Sequence, residues 1–256
     1  MASATVLAMN NSYDFDYTWT VTYGHLVPLA AALGIAALAA WRGWPRLVTI
    51  LAGLVGLWAL MGLVVVHFLF GLTRPMDLPT DRFLASGSGR VLDAGAGSGR
   101  AGVGVLIARP KATVTALDIY SGYWGIDDNT PERFMANARA AGAADRAEAR
   151  TGDMRDMPFD EATFDAVISS YAIDHLSREG TVKAIAEVHR VLKSHGEFLL
   201  MIINSADWLV RLVSPPIAHH PRQDPLRWRH MIEDAGFTLE EEGATTGSFY
   251  FYARKK

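Results

Sequence analysis

Residues 91–99 read VLDAGAGSG, a short apolar run that ends in one aspartate and then turns on three glycines at alternate positions, Gly95, Gly97 and Gly99. An apolar strand that closes on an acid and a glycine loop belongs to an α/β fold that holds a ligand at its strand ends. Glycines let the backbone approach a bound molecule where a Cβ would collide, and Asp93 adds an acceptor for a polar or charged head group. Gly97, Gly99 and Gly102 also stand at G-x-G-x-x-G spacing. That spacing alone does not separate the two common classes of nucleotide-like cofactor, the nicotinamide dinucleotides and S-adenosylmethionine (SAM).

Four later motifs separate them. VTALDIY (114–120) is a second strand ending in Asp118, nineteen residues after Gly99. TGDMRDMPFDEATFDAVISSYAIDHL (151–176), HRVLKSHGEFLL (189–200) and the closing AGFTLEEEGATTGSFYFYARK follow in order. With VLDAGAGSGR (91–100), these segments make the chain resemble the class I SAM-dependent methyltransferases, particularly the branch containing the ubiquinone/menaquinone methyltransferases. The resemblance covers roughly residues 85–253; nicotinamide enzymes do not carry the later four motifs. It implies SAM as the cofactor and a Rossmann-like, doubly wound methyltransferase sheet.

The periodicity agrees with an α/β fold. Strands are predicted at 90–94, 113–117, 165–170 and 197–203, with a weaker one at 147–151, and helices at 99–108, 131–141, 178–193 and 225–235. Thr130-Pro131-Glu132 is a helix start: a capping hydroxyl, a preset φ and an acid at the positive end.

On this frame Asp93, Gly95, Gly97 and Gly99 are expected to hold the amino-acid end of SAM. Asp118, with Ile119 beside it, ends its strand where a carboxylate accepts both ribose hydroxyls. By resemblance, Asp153 accepts from the adenine amino group with Met154 against the ring, and Ser169 lines the methyl-transfer pocket. Tyr171, Asp174 and His175 follow the fourth strand and are the catalytic candidates: a histidine takes a proton near neutral pH and a nearby acid orients it. Three stretches depart from the family pattern. The inserted YSGYWGIDDN brings Tyr120, Tyr123 and Trp124 near the ribose and the acceptor mouth, where aromatic faces attract a sulfonium. Lys193-Ser194-His195-Gly196 replaces the family's KPGG turn. NSADWLVRLVSPPIAHHPRQD (204–224) lies where family members place acceptor-binding insertions, so Trp208 and His219 are expected to touch acceptor. His219 and His220 lack a third spaced ligand, so no metal site is expected.

Half of the 256 residues are hydrophobic, and the excess is concentrated at the N-terminus. No Asp, Glu, Lys or Arg occurs between Trp19 and Trp41, and none between Leu47 and Leu72. The second run, roughly 39 Å long as a helix, exceeds a hydrocarbon core of about 30 Å. With WRGWPR (41–46) as the connection and tyrosines and tryptophans at both ends, residues 18–72 are expected to form a transmembrane helical hairpin. An N-terminal segment (1–17) precedes it, a linker (73–84) broken by Pro75 and Pro79 follows it, and the methyltransferase domain (85–256) is expected to fold without it. Arg42 and Arg46 in the connection argue for the opposite orientation, but SAM is made in the cytosol, so the catalytic domain is expected on the cytoplasmic face of the membrane.

A net charge of −3 gives no reason to expect nucleic acid as a partner. The lack of cysteine removes disulfides, thiolate metal sites and a cysteine nucleophile. The expected partners are the lipid bilayer and a small lipophilic acceptor: a small thiol or sulfide, a quinone-like ring or a lipid head group. Two function classes remain open at this point, a membrane-tethered methyltransferase and a SAM-binding membrane scaffold or assembly factor without turnover.

Overall fold

In the computed structural model, which describes residues 13–15, 17–121, 126–214 and 222–256, the glycine-loop strand lies at the centre of a sheet. This strand, β1 (Ser88–Ala94), pairs in parallel with β2 (Lys111–Asp118) on one side and β4 (Phe164–Ser170) on the other. Outside them lie β3 (Ala147–Thr151), parallel to β2, and β5 (Leu192–Ile203), parallel to β4. The last two strands, β6 (Phe237–Thr245) and β7 (Ser248–Lys255), form an antiparallel hairpin, with β7 against β5. The sheet order among the described residues is β3-β2-β1-β4-β5-β7-β6. Every predicted strand is present within two residues of its expected start except β5, which begins earlier.

Alternation along the strands fills both faces of the sheet. Leu92, Val167, Phe198, Leu200 and Ile202 pack with α6 (Arg178–Val191) and α8 (Pro225–Asp234). Their neighbours Val91, Ile168, Leu199 and Met201 face α4 (Arg100–Ala108) and α5 (Pro131–Ala140). Each such buried aliphatic side chain contributes roughly 1.5–3 kcal/mol relative to exposure. Helix α5 starts as the sequence predicts: the Thr130 side chain accepts from Arg133 N–H at 3.3 Å, with Pro131 in the first turn. His195 occupies the KSHG turn at φ +60°, a left-handed conformation suited to glycine.

The expected linker at 73–84 is instead part of the core. Phe83, Leu84 and Met76 are buried against α4 and α5, and Met76 N–H donates to Arg100 C=O at 3.0 Å. Pro75 and Pro79 break the helical path without detaching the chain, because the apolar residues between and after them alternate into the sheet's helix layer.

The N-terminal segment forms a short helix α1 (Trp19–Tyr23), then α2 (Leu26–Arg42) and α3 (Arg46–Val64), which pack against each other. Gly43, at φ +65°, caps α2 before Pro45 starts α3. A π-helical turn (Val65–Leu69) extends α3 toward the catalytic domain. Among the described residues one helix, Arg46–Leu69, is long and apolar enough to cross a membrane. α2 is apolar but, at 17 residues, is shorter than Arg46–Leu69, and the helix starts only after Gly24 and His25. Leu33, Trp41, Leu47, Ile50, Leu54 and Leu57 expose their side chains along both helices.

Candidate cofactor and acceptor site

The carboxyl ends of β1, β2 and β4 open onto a cavity of about 600 Å³. One half is built from the glycine loop and the strand-end acids. Asp93, Gly95–Ser98, Asp118, Ile119 and Gly152–Arg155 line it, with Ile126 and Asn129 from the stretch after β2. Gly95 and Gly97 have φ of +80° and +54°, and a Cβ at either position would collide, at Gly95 with Ala172 and Met154, at Gly97 with Ile126. The loop is therefore open to ligand only as glycine.

Asp93 is fully buried. Its Oδ2 accepts from Gly102 N–H at 2.7 Å, at the first turn of α4, while Oδ1 is buried with no partner among the described residues. Burial pushes the carboxyl up to about 7, against the opposing Gly102 hydrogen bond. Asp118 braces the loop: Oδ2 accepts from Gly97 N–H at 2.8 Å, and Oδ1 accepts from Tyr120 N–H at 2.7 Å and from the Asn129 amide at 3.3 Å. Asp153 lines the cavity, but both of its oxygens accept from the Arg155 guanidinium, which holds the carboxyl below its usual range. Met154 lies beside it on the same wall.

The other half of the cavity is mainly apolar and draws on distant parts of the chain. Tyr17 comes from the N-terminal segment, Val21 from α1, Leu69, Phe70 and Leu72 from the end of the α3 extension, and Met201 and Ile203 from β5. Val210 comes from α7 (Trp208–Val213) and Thr245–Ser248 from the β6–β7 turn. Tyr171 and His175 face this half. Tyr171 sits at φ +53° with its hydroxyl 2.5 Å from Ser248 Oγ, and burial raises its phenol despite that hydrogen bond. Arg100 also lines the cavity, with its guanidinium donating to Phe70 C=O at 2.5 Å and Arg74 C=O at 3.2 Å.

Several sequence expectations are corrected here. Ser169 is fully buried and donates to Ala94 C=O at 2.7 Å, tying β4 to β1; its neighbour Ser170 reaches the cavity instead, because successive side chains on a strand point to opposite faces. Asp174 is buried behind the wall with Oδ2 accepting from Ile203 N–H at 2.9 Å, so it fixes the end of β5. Tyr120 lies half-buried beside Asp118, to which its N–H donates, and burial raises its phenol. Trp208 is 71 % exposed on the outside of α7, and it is Val210, two residues on, that faces inward. Tyr123, Trp124 and His219 lie outside the described residues. No cluster with the makings of a metal site occurs among the described residues.

Sequence reasoning missed the cavity residues Phe70, Thr246 and Ser248, whereas Ile126 falls in the inserted YSGYWGIDDN stretch that it singled out. Only the TTGS turn between the last two strands carries a local signal, Gly247 at φ +75°.

A family model described as "Methyltransferase domain" matches residues 91–196. The chain is 30% identical over 186 residues to an uncharacterized methyltransferase of Synechocystis sp., covering 72% of this chain and 79% of that protein. It is also 30% identical over 122 residues to a ubiquinone/menaquinone biosynthesis C-methyltransferase of Citrifermentans bemidjiense, spanning 45% of this chain and 46% of that protein. A SAM-dependent methyltransferase from Methanosarcina mazei shares the fold, with a TM-score of 0.54 and 18% identity over 70% of this chain and 99% of that one. The chain belongs to the SAM-dependent methyltransferases. Its cofactor is SAM, and the residues present fit it: a loop open only as glycine, acids at the ends of β1 and β2, and a buried carboxyl oxygen on the cavity wall with no partner among the described residues.

Proposed function

We propose that the protein is a membrane-anchored methyltransferase that transfers the methyl group of SAM to a small lipophilic or membrane-partitioned acceptor. Candidate acceptors are a small thiol or sulfide, a quinone-like ring and a lipid head group. One observation carries this reading: the acceptor half of the cavity shares Val21, Leu69, Phe70 and Leu72 with the base of an exposed apolar hairpin. A molecule dissolved among the hairpin's lipid neighbours would meet the cavity without crossing bulk water. The cytosolic supply of SAM favours a catalytic domain on the cytoplasmic side, with α3 spanning the bilayer and α2 packed alongside it.

SAM supplies an already activated methyl on a sulfonium, so the protein's task is to align a nucleophile and exclude water. Gly95, Gly97 and Asp93 would hold the amino-acid end, Asp118 the ribose hydroxyls, and Ile119, Asp153 and Met154 the adenine, while Gly99, expected with them, instead caps α4 against Phe134. Asp118 Oδ2 retains a lone pair beyond the bond it accepts from Gly97 N–H, whereas Oδ1 already accepts from Tyr120 and Asn129. Tyr171 and His175 stand on the acceptor side, where His175 takes the proton of an acceptor that ionises poorly. Met201, Ile203, Phe70 and Val210 keep water from the transfer path.

The test is turnover by the full-length protein in lipid nanodiscs, with quinol, phosphatidylethanolamine and alkyl-thiol panels scored for methylated product. Membrane fractions washed in carbonate test the anchor. Release of the protein by carbonate, or methylation confined to water-soluble polar acceptors, would overturn the reading.

A further inference from the structure

We infer that Asn137 is a positioning residue for the cofactor: it fastens an N-terminal strap, described at residues 13–15 and 17, onto the glycine loop, so that a docked strap and a bound cofactor hold one another in place.

Asn137 lies within the alanine- and arginine-rich α5 and is 1 % exposed. A buried amide in such a helix is costly unless its donors and acceptor are all used. Here they are. Asn137 Oδ1 accepts from Asp14 N–H at 2.7 Å, and Nδ2 donates to Asp14 C=O at 2.7 Å and to Ser98 C=O at 2.9 Å. The pattern fixes the amide's orientation, since the flipped group would set NH₂ against the Asp14 N–H. One side chain thus reads the strap backbone on both of its polar groups and the glycine loop on a third.

Two further bonds close the same joint. Ser98 Oγ donates to Phe15 C=O at 2.8 Å, and the Phe15 ring is buried at 2 % exposure. Arg133, one turn earlier on α5, pairs with the Asp14 carboxylate at 2.5 Å. Tyr17 then forms a β-bridge with Ile126, and both Tyr17 and Ile126 line the cavity, as does Ser98. The strap is consequently joined to the cofactor half of the cavity through Ser98 from below and Ile126 from the side. It continues through Thr18 directly into α1.

A merely structural strap would make its bonds to the outer surface of α5. This one is also bonded to the loop that cradles the cofactor, directly through Ser98 Oγ to Phe15 C=O and indirectly through Asn137 to Ser98 C=O, so anything that orders the loop strengthens the strap. Coupling of this kind is reciprocal: the strap must tighten cofactor binding by the factor that the cofactor favours strap docking.

The test uses S-adenosylhomocysteine as the probe on the full chain in nanodiscs. Dissociation is timed by stopped flow, and hydrogen–deuterium exchange is followed over residues 13–17. In Asn137→Ala the probe should leave roughly tenfold faster with association unslowed, matching the loss of hydrogen bonds at the joint. Phe15→Ala, which alters the strap alone, should act in the same direction and carries the test if Asn137→Ala loses its cooperative melt. In the unaltered protein, saturating probe should slow exchange over 13–17, an effect that a purely structural role would not produce. Unchanged dissociation in a folded variant, or strap exchange indifferent to the probe, would overturn the inference.

Discussion

His25 Nε2 donates to the carbonyl oxygen of Val213 at 2.6 Å, and the imidazole occupies a notch that exists only because residue 62 is glycine. One residue earlier, Trp58 Nε1 donates to Leu212 C=O at 2.7 Å. These carbonyls close α7, where a helix leaves its last acceptors without internal partners. The hairpin supplies the missing donors and is thereby keyed to the wall of the acceptor cavity.

Gly62→Ala should therefore be costly while Gly34 and Gly53 tolerate alanine. A methyl at 62 collides with the His25 ring, an overpacking cost of about 1–3 kcal/mol. Gly34 and Gly53 have nothing within 4 Å of an added Cβ, so alanine there is neutral or mildly stabilising through helix propensity. Thermal melts of the three variants in nanodiscs check this, and equal melting temperatures would refute the keying.

Asp118→Ala should weaken SAM binding by roughly 1–3 kcal/mol, the range for losing hydrogen bonds to a charged group. The variant also frees the Gly97 and Tyr120 N–H groups that the carboxylate now braces. Titration calorimetry reads the change, and an unaltered affinity would remove Asp118 from the cofactor site.

Asp93 predicts a pH dependence. Its carboxyl is raised from 3.8 to about 7 by burial, so between those values the folded protein keeps a proton that the unfolded chain has released. Its contribution to stability is then fully present below about pH 4 and lost as pH rises through about 7. In SAM-free protein, the melting temperature of Asp93→Asn relative to the unaltered chain should climb between pH 5 and pH 8. A pH-independent difference would show that the buried oxygen is already ionised.

The acceptor wall separates two aromatic substitutions. Phe70→Ala removes a cavity residue and should raise KM for a lipophilic acceptor several-fold. Trp208→Ala alters an exposed residue outside the cavity and should leave KM for a detergent-soluble acceptor unchanged. His175→Ala should lower kcat with SAM affinity intact if the acceptor needs a base, and should do little near pH 8 if it is a thiol, which is partly ionised there. Initial-rate kinetics with the identified acceptor decide all three.

The cofactor half was legible in the sequence because its features are local. A strand, an acid and a glycine loop lie consecutive in the chain, and Asp93 and Asp118 stand where parallel strands end. The side from which a strand-end residue faces was less legible: Ser169 and Ser170 exchange roles on a one-residue shift, and Asp174 turns to the β5 backbone. The acceptor half was largely hidden, since it assembles Tyr17, Phe70, Val210 and Thr246 from four separated segments that tertiary packing alone brings together. The hairpin was visible as uncharged length, but its keying through His25, Trp58 and Gly62 carries no local signature.

A pocket that borrows a wall from an apolar hairpin changes what substrate concentration means for the enzyme. On the proposed function the relevant quantity is the mole fraction of acceptor in the surrounding lipid, so adding inert lipid or detergent at constant total acceptor should slow turnover. Rates compared between laboratories would then agree only when expressed per unit of two-dimensional solvent.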